Sequence, residues 1–185
     1  DVQTDLSYTL ADLGAFVLGR LQTREKRVPA GPALSSESFD YYPSTGDLWH
    51  AKTQILPDGG LLTRTMAYDS FGNLTSTTDE RGGVTTATYD SAGEFRLSAT
   101  DAAGDTSVFT WQPLCGAPLT ETDANGQVTT TTYDALCRPA STTSPAGGFT
   151  RHFYFDVGDA NLQRLRVEAP GSSGGDDWQE RYYDG

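Results

Sequence analysis

Methionine occurs once, cysteine twice and histidine twice in 185 residues, and the scarcity of cysteine and histidine closes off classes of chemistry. The two histidines, His50 in DLWHAK and His152 in TRHFYF, have no catalytic motif around them and read as structural residues of strands. With Cys115 and Cys137 forming no CxxC pair, no zinc ligand set is available. A DxDxDG calcium loop is absent, and DERGGVTTATYD would hold a cation only weakly. Ser36-Glu-Ser and Ser172-Ser-Gly-Gly lack the nucleophile-elbow pattern. Asp176-Asp177 could supply the paired carboxylates of a glycosidase, but they sit in a Gly-rich stretch where solvation is the plainer reading. No catalytic, cofactor-binding or metal-binding residue is therefore assigned. A hydrolase would need His50 or His152 beside a carboxylate and a nucleophile in one cleft.

Long apolar runs are missing too. The longest, Ala15 to Leu18, is far too short to cross a bilayer, and nothing near Asp1 has the basic-then-apolar order of a signal peptide. The chain opens at Asp1 with no initiator Met and is expected to be an internal excerpt. Basic residues are few: 13 against 25 acidic ones, a formal charge of −12. An acidic surface repels phosphate backbones and anionic lipid, so no nucleic-acid partner is expected, and the short apolar runs lead to no expected membrane span. Four basic residues between Arg20 and Arg27 are too few for a binding patch and read as a solvated strand face or a docking edge.

What the chain has in quantity is Thr, Gly, Ala and Asp, with aromatics at 11%. Thr and aromatics favour strands; Gly and Asp favour turns. The hydrophobic fraction of 36% suits a sheet with a wet face rather than a thick core, and a disordered chain would not carry so many rings. Tyr68-Asp69, Tyr89-Asp90, Tyr133-Asp134 and Tyr183-Asp184 mark a repeat, with first gaps of 21 and 44 residues. The missing mark between them falls on Trp111-Gln112, and a further step of 22 lands on Phe155-Asp156. About ten residues after each aromatic comes a polar Gly-bearing turn: DERGG at Asp79, DAAGD at Asp101, DANGQ at Asp123, SPAGG at Ser144. Thr-rich runs of strand length lie between, and Val84-Thr-Thr-Ala-Thr-Tyr89 alternates with period 2, which no amphipathic helix does. The unit is strand, Gly turn, strand, aromatic-Asp turn: two strands per repeat, antiparallel hairpins throughout. YPSTGDLW from Tyr42 extends it upstream, with LPDGG at Leu56 as its Gly loop, and PGSSGGDD from Pro170 reads as a loop inserted in the last repeat. Residues 39–185 form the array. Residues 1–38 form a lead-in, with a strand in Phe16-Val-Leu-Gly-Arg-Leu and a Pro/Gly linker in VPAGPALSS.

Gly72 and Gly93 supply positive φ in tight turns. Asp69, Asp90, Asp134, Asp156 and Asp184 are expected to accept turn amides as Asx-type turns. Tyr68, Tyr89, Trp111, Tyr133, Phe155 and Tyr183 then recur at strand ends as a packing ladder, each neighbouring pair contributing roughly 0.5–1.5 kcal/mol. The alternative is a glycan-binding stripe, which would leave those rings exposed. Cys115 and Cys137 are equivalent positions one repeat apart. Two strands at about 4.8 Å each would separate them by ~9.6 Å, beyond the ~7 Å Cα limit of a disulfide, so free thiols are expected.

The unit YDxxGxLxxxxDxxGxxxxxxYD, quoted from Tyr68 to Asp90, resembles the YD-repeat (RHS-repeat) family, with a match over roughly residues 42–185. FVLGRLQTREKRV resembles the region leading into such repeats in the B component of ABC-type insecticidal toxins. The family also includes C components, bacterial polymorphic toxins and animal teneurins. The resemblance implies a curved, spiralling antiparallel sheet, part of a secreted or cell-surface β-shell that encapsulates or displays a toxin domain, without catalysis and without cofactors. This chain has too few repeats to close a shell and lacks the family's self-cleaving core motif. Its partners would be other repeats or domains of the same parent protein and a possible cargo domain. Unpaired sheet edges would let the isolated fragment self-associate.

Overall fold

The computed structural model describes residues 2–9, 19–55, 59–159, 161–172 and 174–183. Among them there are strands and no helix: β1 (Gln3–Tyr8), β2 (Leu21–Arg27), β3 (Ala33–Tyr41), β4 (Leu48–Ile55), β5 (Leu61–Tyr68), β6 (Leu74–Thr78), β7 (Val84–Tyr89), β8 (Arg96–Thr100), β9 (Thr106–Gln112), β10 (Ala117–Thr122), β11 (Val128–Tyr133), β12 (Pro139–Thr143), β13 (Phe149–Phe155), β14 (Arg164–Pro170) and β15 (Asp176–Tyr182). The chain falls into two compact units, Asp1–Thr88 with Thr100–Gly104, and Tyr89–Ala99 with Asp105–Gly185. In the first, β1 to β7 form an open antiparallel meander in which each strand pairs with the next. In the second, β9 to β15 do the same. Two strands lie between successive repeat aromatics from Tyr68 to Tyr183, as the spacing predicts.

Some of the features expected from the sequence lie outside the described residues, and others are placed by the strands. Phe16, Val17 and Leu18 of the expected first strand, and Leu56, Pro57 and Asp58 of the LPDGG loop, are outside the described residues; β2 begins at Leu21. The 38/39 boundary falls inside β3. Asp176 and Asp177, expected in a loop, open β15.

Both kinds of turn share one geometry. In the Gly turns, the N–H of Gly82 donates to Asp79 O and that of Gly126 to Asp123 O, while Asp79 N and Asp123 N donate to Gly83 O and Gln127 O. The aromatic-Asp turn at Asp69 repeats this with Gly72 and Asn73. The fourth residue is left-handed in each: φ is 87° at Gly72, 86° at Gly82 and 77° at Gly126. This is a type I turn closed by a left-handed residue, whose twist matches the flanking strands.

Sheets of this kind have almost no interior. Among the described residues Met66, 6% exposed, is the one buried hydrophobic side chain. Cohesion comes from backbone ladders, cross-strand neighbours such as the hydroxyl pair Thr110–Thr120 at 2.7 Å, and half-buried rings. A methyl at Gly126 meets no atom within 4 Å, so any cost of Gly126→Ala is that of the left-handed backbone. Urea unfolding should show that variant less stable by about 1–2 kcal/mol.

Candidate functional site

The recurring site is a fork that opens in several of the hairpins. After a Gly turn the two strands zip for only a few residues: Thr120↔Thr130, Glu121↔Thr129 and Thr122↔Val128 between β10 and β11, and three pairs likewise between β12 and β13. Beyond them a bulge shifts the register of the first strand against its other neighbour. Leu119 is the extra residue in β10 and Ala140 the one in β12; Trp49 and Thr75 are the extras in β4 and β6. A bulge bends and twists its strand, so the ladder opens into a fork away from the Gly turn.

The aromatic at the end of the second strand spans that fork. Tyr133 Oη donates to Pro118 O at 2.8 Å and Trp111 Nε1 to Arg96 O at 2.7 Å. Tyr154 Oη donates to Pro139 O at 3.1 Å and Tyr41 Oη to Leu21 O at 2.8 Å. Each bond ties the ring's polar tip to the first or second residue of the preceding strand. The rings are half-buried, and burial pushes the Tyr154, Tyr68 and Tyr41 phenols up. A phenol held protonated remains a donor at neutral pH.

Two of the slots are one residue away from where the spacing puts them. Tyr154 takes the fork at Pro139, and Phe155 does not; Phe155 instead sits under Arg164 (4.6 Å to the ring centroid) on the opposite face. Tyr41 takes the upstream fork, while Tyr42 begins the turn, with its N–H donating to Asp47 O, and stacks on Trp49. The physical reason is the two-residue period of a strand: adjacent rings face opposite ways, and phenylalanine has no donor to reach the carbonyl. In an aromatic doublet only the residue with the right facing and a polar tip can serve. Tyr68 closes β5 against Leu74 and packs edge-on to Tyr42 at 6.3 Å. Tyr89 ends β7, half-buried. Tyr183 follows β15, 49% exposed, with its N–H on Gln163 O; Asp184 is outside the described residues.

Asp69 Oδ1 accepts the amides of Phe71 and Asn73 at 2.9 Å each, Asp134 Oδ1 those of Leu136 and Arg138 at 2.9 Å, and Asp90 Oδ1 those of Glu94 and Phe95 at 2.7 and 3.2 Å. Asp79 and Asp123 of the Gly turns do the same, a role the Tyr-Asp mark did not single out. Asp156 departs: it is itself left-handed (φ 52°), and its carboxylate pairs with Arg164 at 2.6 Å. Asp134 also takes both Nε and Nη2 of Arg138 at 2.7 Å, and that guanidinium lies 4.0 Å over the Tyr154 ring, joining one repeat to the next.

The cysteines overturn the free-thiol expectation. Cys115 and Cys137 are bonded, with Cα atoms 5.3 Å apart. The spacing estimate holds for residues inside a flat continuous ladder. Both cysteines lie instead in turns beyond the bulges at Leu119 and Ala140, where the two turns approach each other. The two-strand repeat and the disulfide coexist.

The histidines are placed in strands beside other side chains. His50 Nδ1 lies 3.4 Å from Asp40, which is also paired with Lys52 at 2.6 Å, and His152 stacks on Tyr154. Among the described residues no group of three His, Cys, Asp or Glu could hold a metal ion.

Removing one hydroxyl tests the fork: Tyr133→Phe leaves Pro118 O unpaired and should cost about 1 kcal/mol in urea unfolding, whereas Phe155→Leu should leave that fork intact. The turn carboxylates set an acid limit. The backbone amide of Gly83, then that of Arg81, hold the Asp79 carboxyl below the usual range; the backbone amide and then the side chain of Arg138 do so for Asp134. Their folded-state values lie below the unfolded ones, so their contribution is complete above the ordinary carboxylate value and is lost as pH falls through the depressed ones. Melting temperature should be flat from neutral pH to about 4 and drop below it, and Asp134→Asn should make the acid drop shallower.

No curated protein matches the chain. Among solved structures it is similar to the crystal structure of TcdB2-TccC3 (10% identity, TM-score 0.32, covering 97% of this chain and 15% of that one). It is also similar to TcdB2-TccC3 without its hypervariable C-terminal region (11%, 0.33, 97% and 14%) and to the Photorhabdus luminescens Tc holotoxin pore (11%, 0.32, 97% and 14%). The chain spans about a seventh of the length of those chains. Residues 68–106 and 116–148 match the RHS Repeat family, and the chain thus carries RHS (YD) repeats across the stretch where the aspartate turns and the fork recur.

Proposed function

We propose that this chain is a non-catalytic stretch of the wall of an RHS-repeat β-shell that encloses or displays a toxin or effector domain. The observation that carries this reading is a repeat that builds sheet without building a core. Hairpin follows hairpin, and one hydrophobic side chain is buried among the described residues. Such a sheet gains little by folding over itself and much by being continued or backed by other parts of its parent protein. Large exposed apolar side chains, from Phe71 at 62% to Leu114 at 92%, are surface such parts would cover. The RHS match supplies the class of wall, and a disulfide fits a secreted or cell-surface location. The glycan-binding alternative calls for rings free to stack on sugar, and Trp111, Tyr133 and Tyr154 have their polar tips engaged by backbone.

The test uses the full-length parent protein. A domain joined to the repeat array should resist added protease at neutral pH and become cleavable once acid opens the array. Equal cleavage of that domain with the array folded or removed overturns enclosure. Quenching of tryptophan fluorescence by a defined glycan at micromolar concentration would replace the shell with an adhesin.

A further inference from the structure

We propose that the Cys115–Cys137 disulfide is a redox clasp that closes one fork of the sheet, so that reduction opens the wall locally between β10 and β11. The inference rests on geometry alone and does not depend on what the wall encloses. Three observations converge on it. The β10–β11 ladder runs for three pairs at the Gly-turn end, and beyond Thr120 the fork is crossed by the Tyr133–Pro118 hydrogen bond. The two cysteines stand in the turns at the mouth of that fork, Cα atoms 5.3 Å apart, and fasten the β9–β10 turn to the β11–β12 turn. Cys137 also occupies, at φ 61°, the left-handed turn position held by Gly72 (87°), Gly82 (86°) and Gly126 (77°). A side chain is unfavourable there, and the disulfide is what offsets that backbone cost, so reduction removes the offset and leaves the cost.

The chemistry balances with a dithiol reductant. Its thiolate attacks one sulfur of the pair, giving a mixed disulfide and one protein thiolate. The reductant's second thiol then displaces the other cysteine and closes its own disulfide. The protein takes up two electrons and two protons, and the reductant is oxidised by the same amount. Cys137 is exposed in the turn and accessible to such an attack.

Hydrogen exchange of the whole chain, with and without dithiothreitol, tests the clasp. Reduction, verified by thiol alkylation, should speed exchange in residues 112–138 on the order of a hundredfold. It should leave residues 149–170 unchanged. The glycine slot gives a second arm. A Cys115→Ser/Cys137→Gly chain should be more protected than Cys115→Ser/Cys137→Ser and than the reduced wild type, yet less protected than the oxidised wild type. Unchanged exchange after verified reduction overturns the proposal. So does an equal rise along the chain, because the bond would then stabilise the fold globally without closing one fork.

Discussion

A hydrogen bond from the tip of a ring to a backbone carbonyl across an open fork is the interaction on which the rest of this sheet depends. The bulges at Trp49, Thr75, Leu119 and Ala140 bend their strands, and a bend takes strands out of register. Backbone groups at the fork then need another partner, because an unpaired carbonyl under half-buried rings would be costly. Tyr133 and Tyr154 supply it beyond the bulges at Leu119 and Ala140, and Trp111 and Tyr41 make the same bond to the start of the strand before theirs. The ring fills the gap with apolar surface and the hydroxyl or indole N–H satisfies the carbonyl. Curvature and cohesion, which oppose each other in a plain ladder, are reconciled by a single side chain at each of these forks.

The aspartate turns are the second half of this arrangement. Many hairpin ends carry a carboxylate that accepts two amides of its own turn, as Asp79, Asp123 and Asp134 do. The left-handed residue that follows sets the twist for the next strand. In Arg138 the two devices meet. It grips Asp134 from below its own turn and covers the Tyr154 ring of the following repeat. Nearest-neighbour links of this sort make stability accumulate repeat by repeat, which is how a chain with a nearly absent core can still be ordered.

The charge of −12 fits this architecture. With few residues hidden, acidic groups are either held in turns or paired on a face, as in the Arg164–Glu180–Arg166 cluster that binds β14 to β15. Arg166 there also covers Trp178 at 4.8 Å, so charge and ring surface are neutralised together.

The period of the repeat, its two strands, its turn chemistry and its family were legible in the sequence, because left-handed turns select glycine and aspartate at fixed intervals and strands select alternation. The facing of aromatic doublets was not. Tyr41-Tyr42 and Tyr154-Phe155 each offer two rings to one slot, and spacing counts of 21 and 22 occur side by side, so a one-residue choice is invisible along the chain. The facing of the strand, fixed by its pairing with its neighbours, and the presence of a polar tip decide which ring turns toward the carbonyl. The disulfide was hidden for the same reason. Strand spacing along a flat sheet forbids it; the approach of two turns 22 residues apart, which exists only once the forks have bent the sheet, permits it.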